Sequence, residues 1–438
     1  MVFCLFIITT LTTYMAYRLS RLKLLSPTFW ASGMFMFFSF IYSITIYNMK
    51  SDISIKTLCA IIGFLAVTAG GEYVGNHLRL GHRLKNLSSS NGVDDLVEIH
   101  VDKWKPIMLF MIYMIVAIDR YKNVAIFARS YGGGFSGIMQ MLSYARLAFV
   151  DVNGSVVLGN FFFNQLIYVC EITAYIMIFI FLHNLICCKK RQWYLLLPLI
   201  PDLIIRFLST SRTSFMILLI AIMVGYFCIL WKQKVLKKIH ISPKLVIGVG
   251  VFAIGFLVYG RIRNEAQSIP VISYIQMYTC SSLYGLHDLL ENGWDKTPYF
   301  GYNTLQHIYN MLQSSHDNIK TWNDMLFFSK DNFHSNVYTS LYDVIIDYGI
   351  PGMLILRFIT AFISAKIISV FVNTDYSQYK FYYLLFFVIA CIYCYFYSAT
   401  GDVFMDYFLN PMLMIRYLIY GWALVRFFLQ PKTYIQLD

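Results

Sequence analysis

Residues 160–186 read NFFFNQLIYVCEITAYIMIFIFLHNLI and run directly into Cys187-Cys188-Lys189-Lys190-Arg191. Glu171 is the sole carboxylate in that run, and neither Lys nor Arg interrupts it. A helix of about 20 apolar residues crosses the roughly 30 Å hydrocarbon core of a bilayer. A cationic cluster at its end marks a cytoplasmic boundary. Working outward, similar runs occur at 1–17, 27–47, 57–75, 106–118, 193–210, 213–231, 245–259, 350–372, 381–399 and 407–429, with 106–118 short. The composition agrees. Of 438 residues 58% are hydrophobic and 13% charged, and the mean hydropathy is +0.59. Soluble domains carry about 25% charged residues. Disorder, a collagen-like chain, a disulfide-rich mini-protein and a soluble enzyme are excluded. The apolar runs are continuous rather than alternating, which fits a transmembrane β-barrel badly. The fold class expected is an all-α polytopic integral membrane protein with about eleven transmembrane helices.

The net charge of +12 suggests nucleic acid until each charge is placed on the topology. One set of alternate loops holds twenty Lys and Arg against six Asp and Glu, among them Arg18, Arg21, Lys23, Arg79, Arg83, Lys189, Lys190, Arg191 and Lys232. The opposite set holds twelve and fourteen, and the charges inside spans balance. This is a positive-inside pattern. It puts the N-terminus outside and the C-terminus in the cytoplasm, and no nucleic-acid partner is needed. The first segment lacks a basic n-region and a small-residue cleavage site, so it reads as a retained anchor.

The chain divides into spans one to eight over 1–259, a large external loop over 260–349, and the last three spans over 350–438. A loop of that length on a membrane protein is usually functional. The nine cysteines show no metal-type spacing and no disulfide framework. No D-x-D, Walker A, HExxH or GxSxG motif is present, and Gly132-Gly133-Gly134 follows no strand and reads as a flexible external loop rather than a phosphate cradle, so neither a metal nor a cofactor is called for.

Three stretches carry candidate chemistry. Ser209-Thr210-Ser211-Arg212-Thr213-Ser214 forms a polar hairpin at the external surface. Arg212 there either anchors lipid headgroups or binds a phosphate together with the hydroxyls beside it. Gly260-Arg261-Ile262-Arg263 leaves the membrane on the same side, and in extended chain Arg261 and Arg263 share a face. The third stretch is His334 to Gly352. Asn336, Ser340, Asp343 and Asp347 recur at helical spacing on one face, with Val337, Leu341, Val344 and Tyr348 on another. It reads as an amphipathic helix at the external membrane surface, ended by Gly349-Ile350-Pro351-Gly352. Within the spans, Arg206, Arg357, Arg416, Glu72, Glu171 and Asp202 must face the bundle interior, and their numbers suggest mutual pairing. Arg206, just below Arg212, could extend a cationic track toward a phosphate.

This pattern resembles the O-antigen polymerases, the Wzy-type oligosaccharide repeat-unit polymerases of bacteria, and their relatives the O-antigen ligases. The resemblance rests on the topology with one large late external loop, on Ser211-Arg212-Thr213, on Gly260-Arg261-Ile262-Arg263, and on His334-Ser335-Asn336-Val337-Tyr338 through Asp347-Tyr348-Gly349-Ile350-Pro351-Gly352. It implies a GT-C-like, metal-independent glycosyltransferase of the bacterial inner membrane. The donor would be a glycan on undecaprenyl pyrophosphate, and the acceptor the terminal sugar of a second lipid-linked repeat unit. Membrane lipid and a chain-length regulator protein are the further partners implied. Without nucleotide or metal, cationic side chains must stabilise the departing pyrophosphate. Arg212 and Arg261 are the candidates for that task, and His334 is the candidate general base. Arg263, Arg206, Asn336, Tyr338, Asp343 and Asp347 are candidate substrate-binding residues. Rival readings are an O-antigen ligase, a non-enzymatic lipid-linked oligosaccharide flippase, and a multi-span acyltransferase. The absence of a visible internal repeat weighs against a transporter.

Overall fold

The computed structural model describes residues 1–78, 98–132, 134–151, 159–209, 213–232, 271–294, 297, 299–312, 326–330, 334–376 and 378–429. The expected span 245–259 and the candidates Arg212, Arg261 and Arg263 lie outside the described residues. Two compact units divide the chain. One comprises residues 1–82, 268–370 and 390–414, the other residues 83–267, 371–389 and 415–438.

Helices dominate, as the apolar runs require. The first unit opens with α1 (Val2–Leu19), α2 (Pro27–Thr45) and α3 (Ile55–His77). Ser26 caps α2 by accepting from Phe29 N at 3.1 Å, with Pro27 in the first helical position, where its missing N–H costs nothing. Ser54 caps α3 in the same way through Thr57 N at 3.3 Å. Two elements of the large loop follow, α9 (Val271–Asn292) and α10 (Gln306–Leu312), and α9 packs on α2 and α3. His287 of α9 meets Ser51 Oγ at 3.1 Å, and Lys56 pairs with Glu291 at 3.4 Å. Then come a short antiparallel pair, β1 (Leu326–Phe327) with β2 (His334–Ser335), and the long α11 (Tyr342–Val372). α12 (Tyr379–Tyr397), α13 (Phe404–Phe408) and α14 (Pro411–Phe428) complete the chain.

α3 and α11 approach closely because small residues line both. A Cβ at Gly75 would sit 2.7 Å from the Phe362 carbonyl and 3.0 Å from Ala365 Cβ, and Gly71 meets Phe358 and Ala361 in the same way. Gly71 and Gly75 are four apart, the small-xxx-small spacing that lets membrane helices touch backbone to backbone.

The second unit holds α4 (Trp104–Gly132), α5 (Ile138–Asp151), α6 (Phe161–Ile186), α7 (Leu199–Leu208) and α8 (Thr213–Lys232). α4 packs on α5, α6 and α7, while α6 also packs on α7 and α8. Val124, Ala128, Met141, Leu142, Ala145 and Leu208 form a buried core between α4, α5 and the end of α7.

Among the described residues seven helices are long and apolar enough to cross a membrane: α1, α2, α3, α6, α8, α11 and α12. This is a multi-pass membrane protein. Three expectations from the sequence change. The run 193–210 is no single span: a 3-10 turn over Trp193–Leu196 precedes a ten-residue α7. Pro198 stands just before α7 and Pro201 in its first turn, the positions where a helix tolerates proline. Ten residues rise only about 15 Å, half the hydrocarbon core. The short run 106–118 belongs to the 29-residue α4, which continues past Asp119, Arg120 and Lys122. The helix expected from Asn336 starts at Tyr342 instead.

Candidate functional site

The stretch from His334 to Gly352 lies in the first unit, and its parts are fastened one at a time. His334 pairs with Phe327, and Ser335 with Leu326. The backbone of His334 is described, whereas its side chain lies outside the description. Ser335 Oγ donates to the Met277 carbonyl at 2.8 Å, tying the strand to α9. Asn336 is half-buried, and Tyr338 is buried with its ring 4.1 Å from that of Tyr342. Ser340 N donates to the Ser398 carbonyl at 2.8 Å. A chain held by these outside partners does not need helical hydrogen bonds of its own, which is why residues 336–341 are not the helix their spacing suggests.

Asp347 is tied to the 303–304 loop. It accepts from Asn303 N at 3.1 Å, Asn303 Nδ2 at 3.0 Å and Thr304 N at 2.8 Å. Thr304 Oγ1 also meets Tyr348 OH at 2.7 Å. Both oxygens of Asp347 are thus committed to the 303–304 backbone, so the residue anchors a loop. Asp343, one helical turn earlier, is half-buried. Gly349 then breaks the helix with φ 68° and ψ 179°, a conformation that glycine adopts without strain. Around the 299–309 loop sits an aromatic group: the Tyr299 ring lies 5.1 Å from Tyr302 and 4.8 Å from Tyr309, and Phe300 lies 4.9 Å from Tyr348.

Below the break, Arg357 is fully buried. It pairs with Asp402 at 2.7 Å, donates to the Ser340 carbonyl, and faces the Phe404 ring with 4.3 Å from the guanidinium carbon to the centroid. The structure therefore brings Asn336, Tyr338, Asp343 and Asp347 into one short segment and adds Arg357 and Asp402 to it. Asp402, Asn303 and Thr304 are not singled out by the sequence. The signal for Asp402 was indirect: a buried arginine in a span demands an acceptor, and Gly401-Asp402 follows the apolar run 381–399.

Arg206 belongs to the second unit. On α7 it is buried and held by two carboxylates, with Asp202 Oδ2 2.6 Å from Nε and Glu171 Oε1 3.6 Å from Nη2. Nη1 donates to the Ser214 carbonyl at the start of α8, and Ser209 Oγ lies 3.4 Å from Ser214 Oγ. Its charge is thus compensated, and a phosphate would compete with two carboxylates for it.

The other intramembrane charges do not pair with one another as their numbers suggested. Glu72 is buried and accepts from Ser20 Oγ, from Ser26 Oγ at 2.7 Å and from Thr28 N at 3.0 Å, so it holds the α1–α2 connection and the start of α2. Arg416 lies over the Tyr168 ring at 4.5 Å. All nine cysteines are free, and Cys280, buried between α9 and α2, has its thiol pushed up to about 11 by burial. Among the described residues no group of three or more His, Cys, Asp or Glu side chains could hold a metal ion. Comparison with protein-family models, curated proteins and solved structures finds no match to this chain.

Proposed function

We propose that this multi-pass membrane protein polymerises lipid-linked oligosaccharide repeat units. A glycan would move from undecaprenyl pyrophosphate to the terminal sugar of another lipid-linked repeat unit on the external face. The single observation that carries the reading is the His334–Gly352 stretch: its polar residues are held in one fixed segment, next to a tyrosine-rich loop and directly above a membrane-spanning helix. A lipid-linked substrate presents its phosphates and first sugars at that depth. Aromatic side chains offer sugars a stacking surface.

In this reading the large loop is external, the C-terminus cytoplasmic, and the architecture GT-C-like. His334 is the general base for the acceptor hydroxyl. Arg212 and Arg261, with Arg263, stabilise the departing pyrophosphate. Asn336 and Asp343 contact the sugars, while Tyr338, buried against Tyr342, is better read as packing beneath them. Asp347 is better read as the anchor of the 303–304 loop than as a sugar ligand, since its acceptor sites are filled.

The test is the surface glycan of a deletion strain complemented with wild type, His334→Ala or Arg212→Ala. Core carrying a single repeat unit in the deletion and in both variants, with a full ladder restored by wild type, is the expected result. Bare core in the deletion would point instead to an O-antigen ligase or a flippase. A full ladder from Arg212→Ala at normal protein level would remove the leaving-group role of that arginine.

A further inference from the structure

Arg357 sits eight residues beyond the Gly349 break, inside a membrane-spanning helix, with no solvent exposure. Its five N–H groups are distributed unevenly. Nη2 serves both Asp402 Oδ2 at 2.7 Å and the Ser340 carbonyl, whereas Nε and Nη1 have no hydrogen-bond partner. Ser340 Oγ and Thr339 Oγ1, in the turn that the guanidinium reaches, are also buried without a partner. The guanidinium joins three separate stretches of chain: α11 itself, the 336–341 turn, and the 398–404 connection that supplies Asp402 and Phe404.

Packing alone does not account for this arrangement. An apolar side chain of similar volume commonly matches or exceeds a buried ion pair in stability. Buried donors without acceptors cost more again. What a guanidinium does, and an apolar chain cannot, is grip the Ser340 carbonyl and the Asp402 carboxylate at once. The gripped carbonyl lies six residues after His334, four after Asn336 and two after Tyr338, in a turn with little regular hydrogen bonding of its own.

We propose that Arg357, oriented by Asp402, is a positioning residue that fixes the 334–341 segment for glycosyl transfer. It touches no reacting group. It acts through the Ser340 carbonyl. The role in transfer rests on the function proposed above, while the clamp itself can be measured without any activity.

The experiment uses the full-length protein in lipid nanodiscs, as wild type, Arg357→Lys, Asp402→Asn and Phe404→Leu. Lysine keeps the charge and loses the fork. Amide hydrogen exchange is followed across 335–342 and, as reference, across Ile55–His77. Turnover is measured with lipid-linked repeat units extracted from the producing strain. Arg357→Lys and Asp402→Asn should raise exchange in 335–342 by about tenfold or more and leave the reference helix unchanged. They should also lower kcat by roughly 10²-fold, the loss expected for about 1 Å of misplacement, with KM within about twofold. Phe404→Leu keeps the ion pair and should change both readouts far less.

Unchanged exchange in a folded Arg357→Lys protein overturns the clamp. Raised exchange with normal kcat per folded molecule overturns the positioning role, as does a rise in KM alone, which would mean direct substrate contact. If Arg357→Lys does not accumulate, Asp402→Asn decides by the same criteria. Failure of both to accumulate overturns the proposal in favour of a folding role. Wild-type protein inactive on lipid-linked repeat units would sink the proposed function separately, and the exchange measurement would still decide the clamp.

Discussion

Asp347, Arg206 and Glu98 each show how a single polar side chain is committed in this fold. Asp347 was legible in the sequence as a polar residue near the end of an external loop. Its partners, Asn303 and Thr304, are more than forty residues away and could not be read from spacing. Asp347→Ala should release the 303–304 loop and cost about 1–3 kcal/mol, because the backbone N–H groups it satisfies are left unpaired. Thermal unfolding in detergent and limited proteolysis near residue 303 check this, and an unchanged cleavage rate would refute the anchoring role. Arg206 was legible as a buried charge, but its two carboxylate partners were not. Arg206→Ala should cost about 3–5 kcal/mol by stranding Asp202 and Glu171. The combined Arg206→Met, Asp202→Asn, Glu171→Gln variant should recover most of that loss, and equal destabilisation of both proteins would contradict the pairing. Glu98 lies at the α6 end of the second unit, accepting from Lys190 and Gln192. Burial alone would raise its carboxyl, but the hydrogen bonds from Lys190 and Gln192 outweigh burial and hold it below the usual carboxylate range. A lowered carboxyl contributes stability above its unfolded value and loses it as pH falls through the folded one. Stability of wild type should therefore decline more steeply on acidification than that of Glu98→Gln, measured as melting temperature against pH. Parallel profiles would remove Glu98 from the acid response.

Helices were the most legible elements where apolar runs were long and uninterrupted, as in α3, α6 and α8. They were least legible where a local pattern competed with distant partners. Residues 336–341 carry helical periodicity and yet form irregular chain and a turn, because β1 and α9 hold the two residues before them and the Ser398 carbonyl takes the Ser340 N–H. The break at Gly349 was readable, since Gly-Ile-Pro-Gly cannot continue a helix unbroken. Gly349→Ala places a Cβ on a residue with φ 68° and should cost about 1 kcal/mol or more. The α3–α11 crossing was not readable, because which small residues face which helix depends on the packing. Gly71→Val and Gly75→Val should each destabilise by about 1–3 kcal/mol through forced separation of the two helices. Gly70→Ala is the control: its Cβ would sit 3.6 Å from the Phe358 ring, an ordinary contact. Should Gly75→Val melt like wild type, the close approach is not made in the membrane.

For the whole molecule, the charge asymmetry of the loops predicts orientation. In a background stripped of its native cysteines, Asn292→Cys should react with an impermeant thiol reagent from outside the cell, and Arg191→Cys should react only after permeabilisation. The reverse pattern would overturn the orientation of every candidate site. The amino-acid sequence determined by itself that this chain is helical and crosses a membrane several times, because solvation of apolar side chains and of the backbone in lipid depends on composition and local runs. It also marked Gly349 as a break and the buried charges as positions that need partners. Only the tertiary structure decided what those partners are. Glu72 turned to hydroxyls and a helix N-terminus, Arg206 to two carboxylates, and Arg357 to an aspartate outside the spans and the carbonyl of Ser340. The physical reason is that a buried polar group must be satisfied somewhere, but hydrogen bonds and ion pairs act over about 3 Å in space with no reference to distance along the chain.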